Sequence, residues 1–218
     1  MRKRGIHMSN NTIITIGRQY GSGGKAIGEQ LSKELGIPFY DKELIALAAE
    51  KSGMSADLLK EVDERASNSL LYSLSTGMVN LHTGTGPTLY NLPMNDRLFI
   101  VQADLIKQFA KEGPCVIVGR CADYILRENP DLVRVFIHAE LEKRIQRATT
   151  EYGISPEKAE DTVHKIDKKR ASYYNYYSSR KWGHLENYDL CINSGLIGID
   201  GAVKLIRQFV ELKEGLGR

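Results

Sequence analysis

The sequence predicts a doubly wound α/β fold, and two observations carry that prediction. Short apolar, β-branched runs that end in glycine alternate with segments of helical periodicity, and one strand–helix junction is a glycine-rich loop. Strands that alternate with helices connect as parallel βαβ units with right-handed crossovers, which places helices on both faces of the sheet.

Thr12–Ile16 is apolar and β-branched, stops at Gly17, and reads as a buried strand. After the glycine-rich turn, Ile27, Leu31 and Leu35 share one helical face, and Gly36 closes that helix. Pro38-Phe39-Tyr40 is brief and extended. Asp41 is placed to cap a helix carrying Leu44, Ile45 and Ala48, and a second helical piece follows Ser55. From Ser67 to Pro93 the pattern weakens into Gly, Ser, Thr and Asn, the composition of a functional or mobile segment.

Asn95 or Asp96 then starts a helix with Leu98, Val101, Leu105 and Phe109 on its buried side, and Gly113-Pro114 breaks it. Cys115–Val118 is the second clear strand, ending in Gly119. Leu132–Ile137 is the third and runs into a helix from Glu140. Ser155-Pro156 sets a cap residue before a first-turn proline, and the helix it starts runs to about Tyr177. Asp189–Ile192 is a further strand, and Ile199–Leu212 a final amphipathic helix.

The 218 residues suit a single domain over 12–218, with residues 1–11 as a disordered or tag-like extension. No apolar run approaches the ~20 residues that span a bilayer, and the basic start Met1–His7 lacks an apolar signal stretch, so the expected location is cytoplasmic. Cys115 and Cys191 lie in apolar runs and read as reduced core thiols; with Cys121 they make an odd set without metal spacing. His82, His138 and His164 show no metal-like spacing either. A formal charge of +3 is too small to point to nucleic acid, although basic residues recur from Lys143 to Lys181 as a cationic surface.

Gly17-Arg-Gln-Tyr-Gly-Ser-Gly-Gly-Lys25 is the most informative stretch. Glycines let a backbone turn with positive φ and approach a ligand closely. Amides of such a loop and of the following helix N-terminus point at an anion, and Lys25 adds a charge. The pattern G-x-x-x-x-G-K-[ST] is not met literally: keeping Gly24-Lys25 puts Gln19 at the first glycine and Ala26 where a magnesium-binding hydroxyl belongs. A dinucleotide fingerprint would need glycine at position 26, which is Ala26. A ligand-free strand–helix turn is the bland alternative.

With this loop beside Gly119-Arg120, the chain resembles the cytidylate kinase-like family of P-loop nucleoside monophosphate kinases. The likeness is carried by Gly17–Gly24, Phe39-Tyr-Asp41, Val116–Tyr124, Tyr173–Tyr177, Trp182-Gly183 and Tyr188–Asn193. It departs at Val118, where an aspartate usually precedes Gly-Arg. The resemblance implies a P-loop NTPase-type three-layer fold, with a parallel sheet of about five strands, an acceptor-binding insert near 41–95 and a helical lid near 140–182. It also implies ATP and Mg²⁺ as cofactors, with a nucleotide or small phosphorylated metabolite as partner and CMP or dCMP as the first expected acceptor.

The site residues follow on that basis. Gly17, Arg18, Tyr20, Gly21, Ser22, Gly23, Gly24, Lys25 and Ala26 form the nucleotide-binding loop. Lys25 meets the donor phosphates, and Arg120, at a strand end, meets the acceptor phosphate as a bidentate fork. Arg144, Arg147 and Arg170 are the expected lid cations, continued by Lys168, Lys169 and Arg180. Arg144 and Arg147 can instead pair with Glu140, Glu142 or Glu151 on a solvated helix. Asp41 is expected near the acceptor or a metal, and Asp123 either orients Arg120 or is a plain surface aspartate. Tyr173, Tyr174, Tyr176 and Tyr177 either pack on the sheet or stack on a base. Phosphoryl transfer is the reaction class these residues converge on. The rival reading is a nucleotide-binding protein that lost efficient catalysis, motivated by Ala26 and Val118.

Overall fold

The computed structural model describes residues 11–41 and 93–216. The 1–11 extension (all but its last residue), the helices expected after Asp41 and Ser55, the stretch from Ser67 to Asn91 and Leu92, and His82 therefore lie outside the described residues. The chain divides into two compact units, Met1–Asp41 with Lys107–Arg218, and Lys42–Ile106.

Five described strands form one parallel sheet: β1 (Ile13–Arg18), β2 (Phe39–Tyr40), β3 (Cys115–Val118), β4 (Leu132–His138) and β5 (Leu190–Asn193), in the order β2-β3-β1-β4-β5. Each adjacent pair is parallel. The sequence reading of a parallel five-stranded α/β fold is thereby met. Between and after the strands run α1 (Gly24–Leu35), α2 (Met94–Glu112), α3 (Ala122–Ile125), α4 (Leu141–Thr150), α5 (Pro156–Ser178) and α6 (Ser194–Leu216). Of the second unit, only the start of α2 is described.

The centre of the sheet explains where a ligand can bind. β1 lies between β3 and β4, with Ile16 beside Val118 and Val135. Gly119 N–H donates to Ile16 O at 3.0 Å, and Gln19 N–H to Ile137 O at 3.0 Å. The loops after β1 and β3 therefore leave the sheet side by side at its carboxyl edge, the place where open α/β sheets bind ligands. Beneath them Ile14, Ile16, Val116 and Val135 pack with Ile27 and Leu31 of α1 and with Val203, Ile206 and Val210 of α6.

Two boundaries and two exposures differ from the sequence reading. β1 continues through Gly17 to Arg18, with Gly17 opposite Phe136. A Cβ there would lie 2.9 Å from the Phe136 ring and 3.3 Å from Tyr188, so this glycine serves packing inside the strand. Cys191 is exposed because β5 is an edge strand whose face is only partly covered, while Cys115 and Cys121 are buried. α6 begins at Ser194 and breaks at Gly198 (φ 69°, ψ −177°), so the predicted start at Ile199 marks its second segment. On α2, Val101 is only partly covered, while Leu98, Leu105 and Phe109 are buried as predicted.

Gly28 tests how tightly α1 lies on the sheet, since an added Cβ would sit 2.9 Å from Val118 Cγ2 and 3.0 Å from Phe39. Alanine normally gains about 1 kcal/mol over glycine inside a helix. Overpacking against a stiff valine costs about 1–3 kcal/mol. Gly28→Ala is expected to lower stability in urea unfolding; a stabilised variant would contradict this packing.

Candidate functional site

Between β1 and α1 the chain turns through Gln19–Gly23, with Gly21 (φ 77°) and Gly23 (φ 78°) left-handed. Gly23 is the N-cap of α1 and offers no side chain to cap it. Ile27 N–H reaches Gly23 O at 2.9 Å, so the amides of Gly24, Lys25 and Ala26 have no intrahelical acceptor. These amides and the positive end of the helix favour an anion.

The carbonyls of Arg18 and of Tyr20, Gly21 and Ser22 are taken up by later elements. Arg170 Nη1 donates to Arg18 O at 3.0 Å, Arg147 Nη1 to Gly21 O at 3.0 Å, and Arg144 Nη1 to Tyr20 O at 3.5 Å. Ser194 Oγ donates to Ser22 O at 2.6 Å. Asp167 of α5 accepts from Tyr20 N–H at 2.7 Å and from the Arg144 guanidinium. The three arginines read as lid cations thus grip the outer rim of the loop. Arg144 pairs with Asp167 and not with Glu140, Glu142 or Glu151; Arg147 does pair with Glu151, at 3.1 Å. Burial pulls the Arg170 guanidinium below its ordinary pKa, opposed by Asp167 and Asp41. Its guanidinium also lies 5.6 Å from the Tyr20 ring, which tilts against Tyr152.

On the facing side, Asp41 follows β2 and receives Arg18 Nη2 at 3.4 Å and Lys25 Nζ at 3.3 Å, one on each carboxylate oxygen. After β3, Gly119 (φ 83°), Arg120 (φ 58°) and Cys121 (φ 57°) are consecutively left-handed. A non-glycine residue held there costs on the order of 1–3 kcal/mol, a strain that concentrates at working sites. Burial pushes the Cys121 thiol far above its ordinary pKa, which leaves it inert as a nucleophile.

Asp123 is not a surface aspartate. It is 6% exposed, and Tyr174 Oη donates to its Oδ2 at 2.7 Å. Burial raises its carboxyl above the ordinary range, with Tyr174 and Arg180 opposing. Tyr174 is accordingly the tyrosine of its cluster that packs inward, while Tyr173, Tyr176 and Tyr177 stack edge-on among themselves.

A model of the cytidylate kinase-like family matches residues 13–196. The chain belongs to that family. A cytidylate kinase from Ignicoccus hospitalis is 24% identical over 200 residues, covering 91% of this chain and 99% of the relative. An uncharacterized protein from Eubacterium ventriosum is 27% identical with a TM-score of 0.67, covering 92% of this chain and 98% of that one. The shikimate kinase of Bacteroides thetaiotaomicron, 13% identical with a TM-score of 0.52 over 92% and 98% of the two chains, shares the fold. The fold is that of P-loop kinases, and phosphoryl transfer is the general chemistry of this cytidylate kinase-like family.

Sequence reasoning missed Asp167 and Ser194. Asp167 is the lone acid among Lys165, Lys168, Lys169 and Arg170, a signal that was visible; Ser194 follows a strand end with no pattern to mark it. A magnesium ion, usual for such kinases, would need oxygen donors at the loop. Ala26 has no hydroxyl, Ser22 is fully buried with Oγ donating to Gln19 O at 2.8 Å, and both Asp41 oxygens face cations. Among the described residues no three His, Cys, Asp or Glu side chains gather as a metal site. The described residues do not fit a magnesium ion ligated by the loop.

Two outcomes are expected. Arg144 and Asp167 side chains are 9% and 15% exposed, and removing one partner of a buried pair costs about 3–5 kcal/mol. Asp167→Ala should therefore lower stability by that order in chemical denaturation; a loss under about 1 kcal/mol would place the pair in solvent. A carboxyl with a raised folded pKa stabilises fully below its unfolded value and loses that contribution as pH rises through the folded one. Asp123→Asn, unable to ionise, should thus gain stability relative to the parent as pH rises above about 4, the ordinary value of the unfolded carboxyl. A pH-independent difference would refute the buried-carboxyl assignment.

Proposed function

We propose that this protein transfers the γ-phosphoryl group of ATP to a nucleoside monophosphate, CMP or dCMP first. The observation that carries the reading is the turn Gln19–Gly23, in which the carbonyls of Tyr20, Gly21 and Ser22 are bonded to later elements while the helix-start amides of Gly24, Lys25 and Ala26 have no intrahelical acceptor. An amide-lined concavity with a nearby ammonium is the chemistry that holds a polyphosphate.

Roles follow from position. Gly21, Gly23, Gly24, Lys25 and Ala26 supply amides, and Lys25 an added charge. Arg120, aimed by its left-handed turn, takes the acceptor's phosphate as a planar fork. Arg18 and Asp41 line the side between donor loop and acceptor. Arg144, Arg147 and Arg170 shape the loop, as parts of a lid over 140–182 whose closure excludes water. The acceptor insert over about 41–95 and a cytoplasmic location complete the proposal; among the described residues no helix is long and apolar enough to cross a membrane.

A second reading, a nucleotide-binding protein with little turnover, is favoured by Ala26 and Val118, where the loop hydroxyl and the aspartate before Gly-Arg are missing. ADP release is measured with ATP, Mg²⁺ and a panel of monophosphates. The kinase reading expects turnover only with an acceptor. It also expects kcat/KM to fall about a hundredfold or more in Lys25→Ala and Arg120→Ala, the loss typical of removing one charge-stabilising donor. Arg120→Lys should be almost as poor, because an ammonium cannot form the fork. ATP binding without turnover for any acceptor selects the binding protein.

A further inference from the structure

The contacts around Asp41 bear on how phosphate charge is balanced, an inference that rests on the phosphate-binding reading of the loop. We propose that the site holds a polyphosphate as its metal-free anion, with Arg18 and Lys25 supplying the positive charge. Asp41 is then a positioning residue for these two cations and not a metal ligand.

Arg18 is built into place from two sides. A Cβ on Gly24 would overlap its aliphatic stem, and a Cβ on Gly119 would overlap its Nη1. Glycines in two separate loops thus make room for one side chain. It crosses from the end of β1 toward the end of β3 and is only 19% exposed. A guanidinium confined this way loses little entropy on binding an oxyanion. Lys25 is the second residue of α1, at the helix end that attracts anions, and its side chain is 43% exposed.

Asp41, 13% exposed, gives one oxygen to each cation. A divalent ion on this carboxylate would sit next to both cations and be repelled by them. Arg170 adds a third positive group, donating to Arg18 O. Glu29 Oε1 is the other carboxylate oxygen recorded near Lys25, at 3.6 Å. An arriving phosphate competes with Asp41 for Arg18 and Lys25, whereas an arriving metal competes with Arg18 and Lys25 for Asp41. The two cases predict opposite signs on neutralising Asp41.

The test is calorimetric titration of the full chain with ATP, once in EDTA and once in saturating Mg²⁺ at matched ionic strength. The parent should bind at least as tightly in EDTA. Asp41→Asn should tighten metal-free binding severalfold, and Lys25→Ala should weaken it about tenfold or more, as expected for one charge-assisted contact. Weaker binding by the parent in EDTA, or a loss of metal-free affinity in Asp41→Asn, overturns the inference while leaving the kinase reading intact. No heat in either buffer overturns both.

Discussion

A turn can offer its amides to an anion only when its carbonyls, which would repel that anion, are directed and satisfied elsewhere. In this chain that requirement is met from the far side. Arg170, Arg147 and Arg144 take the carbonyls of Arg18, Gly21 and Tyr20, and Ser194 takes that of Ser22. The donors come from α4, α5 and the start of α6, so the shape of a five-residue turn is imposed by elements more than a hundred residues later in the sequence. The orientation of the turn's amides and carbonyls therefore belongs to the assembled carboxyl edge of the sheet and not to the glycine-rich segment alone.

The glycines carry the other half of that constraint. A Cβ on Gly21 would overlap the backbone of Arg144, and one on Gly23 would lie 3.1 Å from Arg147 Nη1 and 3.5 Å from Ile199. With Gly21 and Gly23 also left-handed, both demands fall on the same two positions. Flexibility of the loop in isolation explains only the second. The first is close approach, which lets a short helix lay its backbone against the turn so that its arginines reach round to the carbonyls.

Much of this was legible in the sequence because it is local. Strands announced themselves by β-branched runs that end in glycine, and Ser155-Pro156 and Gly113-Pro114 marked helix ends where the structure has them. The ending of β1 was misjudged because a glycine inside a strand and a glycine after it look alike; only the Phe136 ring opposite decides. The partner of Arg144 is hidden from the sequence for a related reason. Spacing along one helix finds Glu140 or Glu151, while Asp167 lies on the next helix, and α4–α5 packing has no signature in either segment. Asp123 shows the same limit, since its hydrogen-bond donor Tyr174 lies fifty-one positions away.

The Arg144–Asp167 pair is also where stability and shape part company. Burying two charges costs desolvation that their attraction seldom exceeds, and well-packed apolar residues of like volume would hold α4 to α5 as firmly. Apolar residues could not, however, accept the Tyr20 amide or donate to the Tyr20 carbonyl. Asp167 and Arg144 do both, one at each end of the same residue. Polar groups of that kind fix register: they reject any packing of the two helices that does not also set the peptide planes around Tyr20. The pair is thus better understood as setting the geometry of the Gln19–Gly23 turn than as a source of stability. A shift of α4 along α5 would lose the carbonyl contacts and the amide contact together, so the loop and these two helices must hold or lose their arrangement as one.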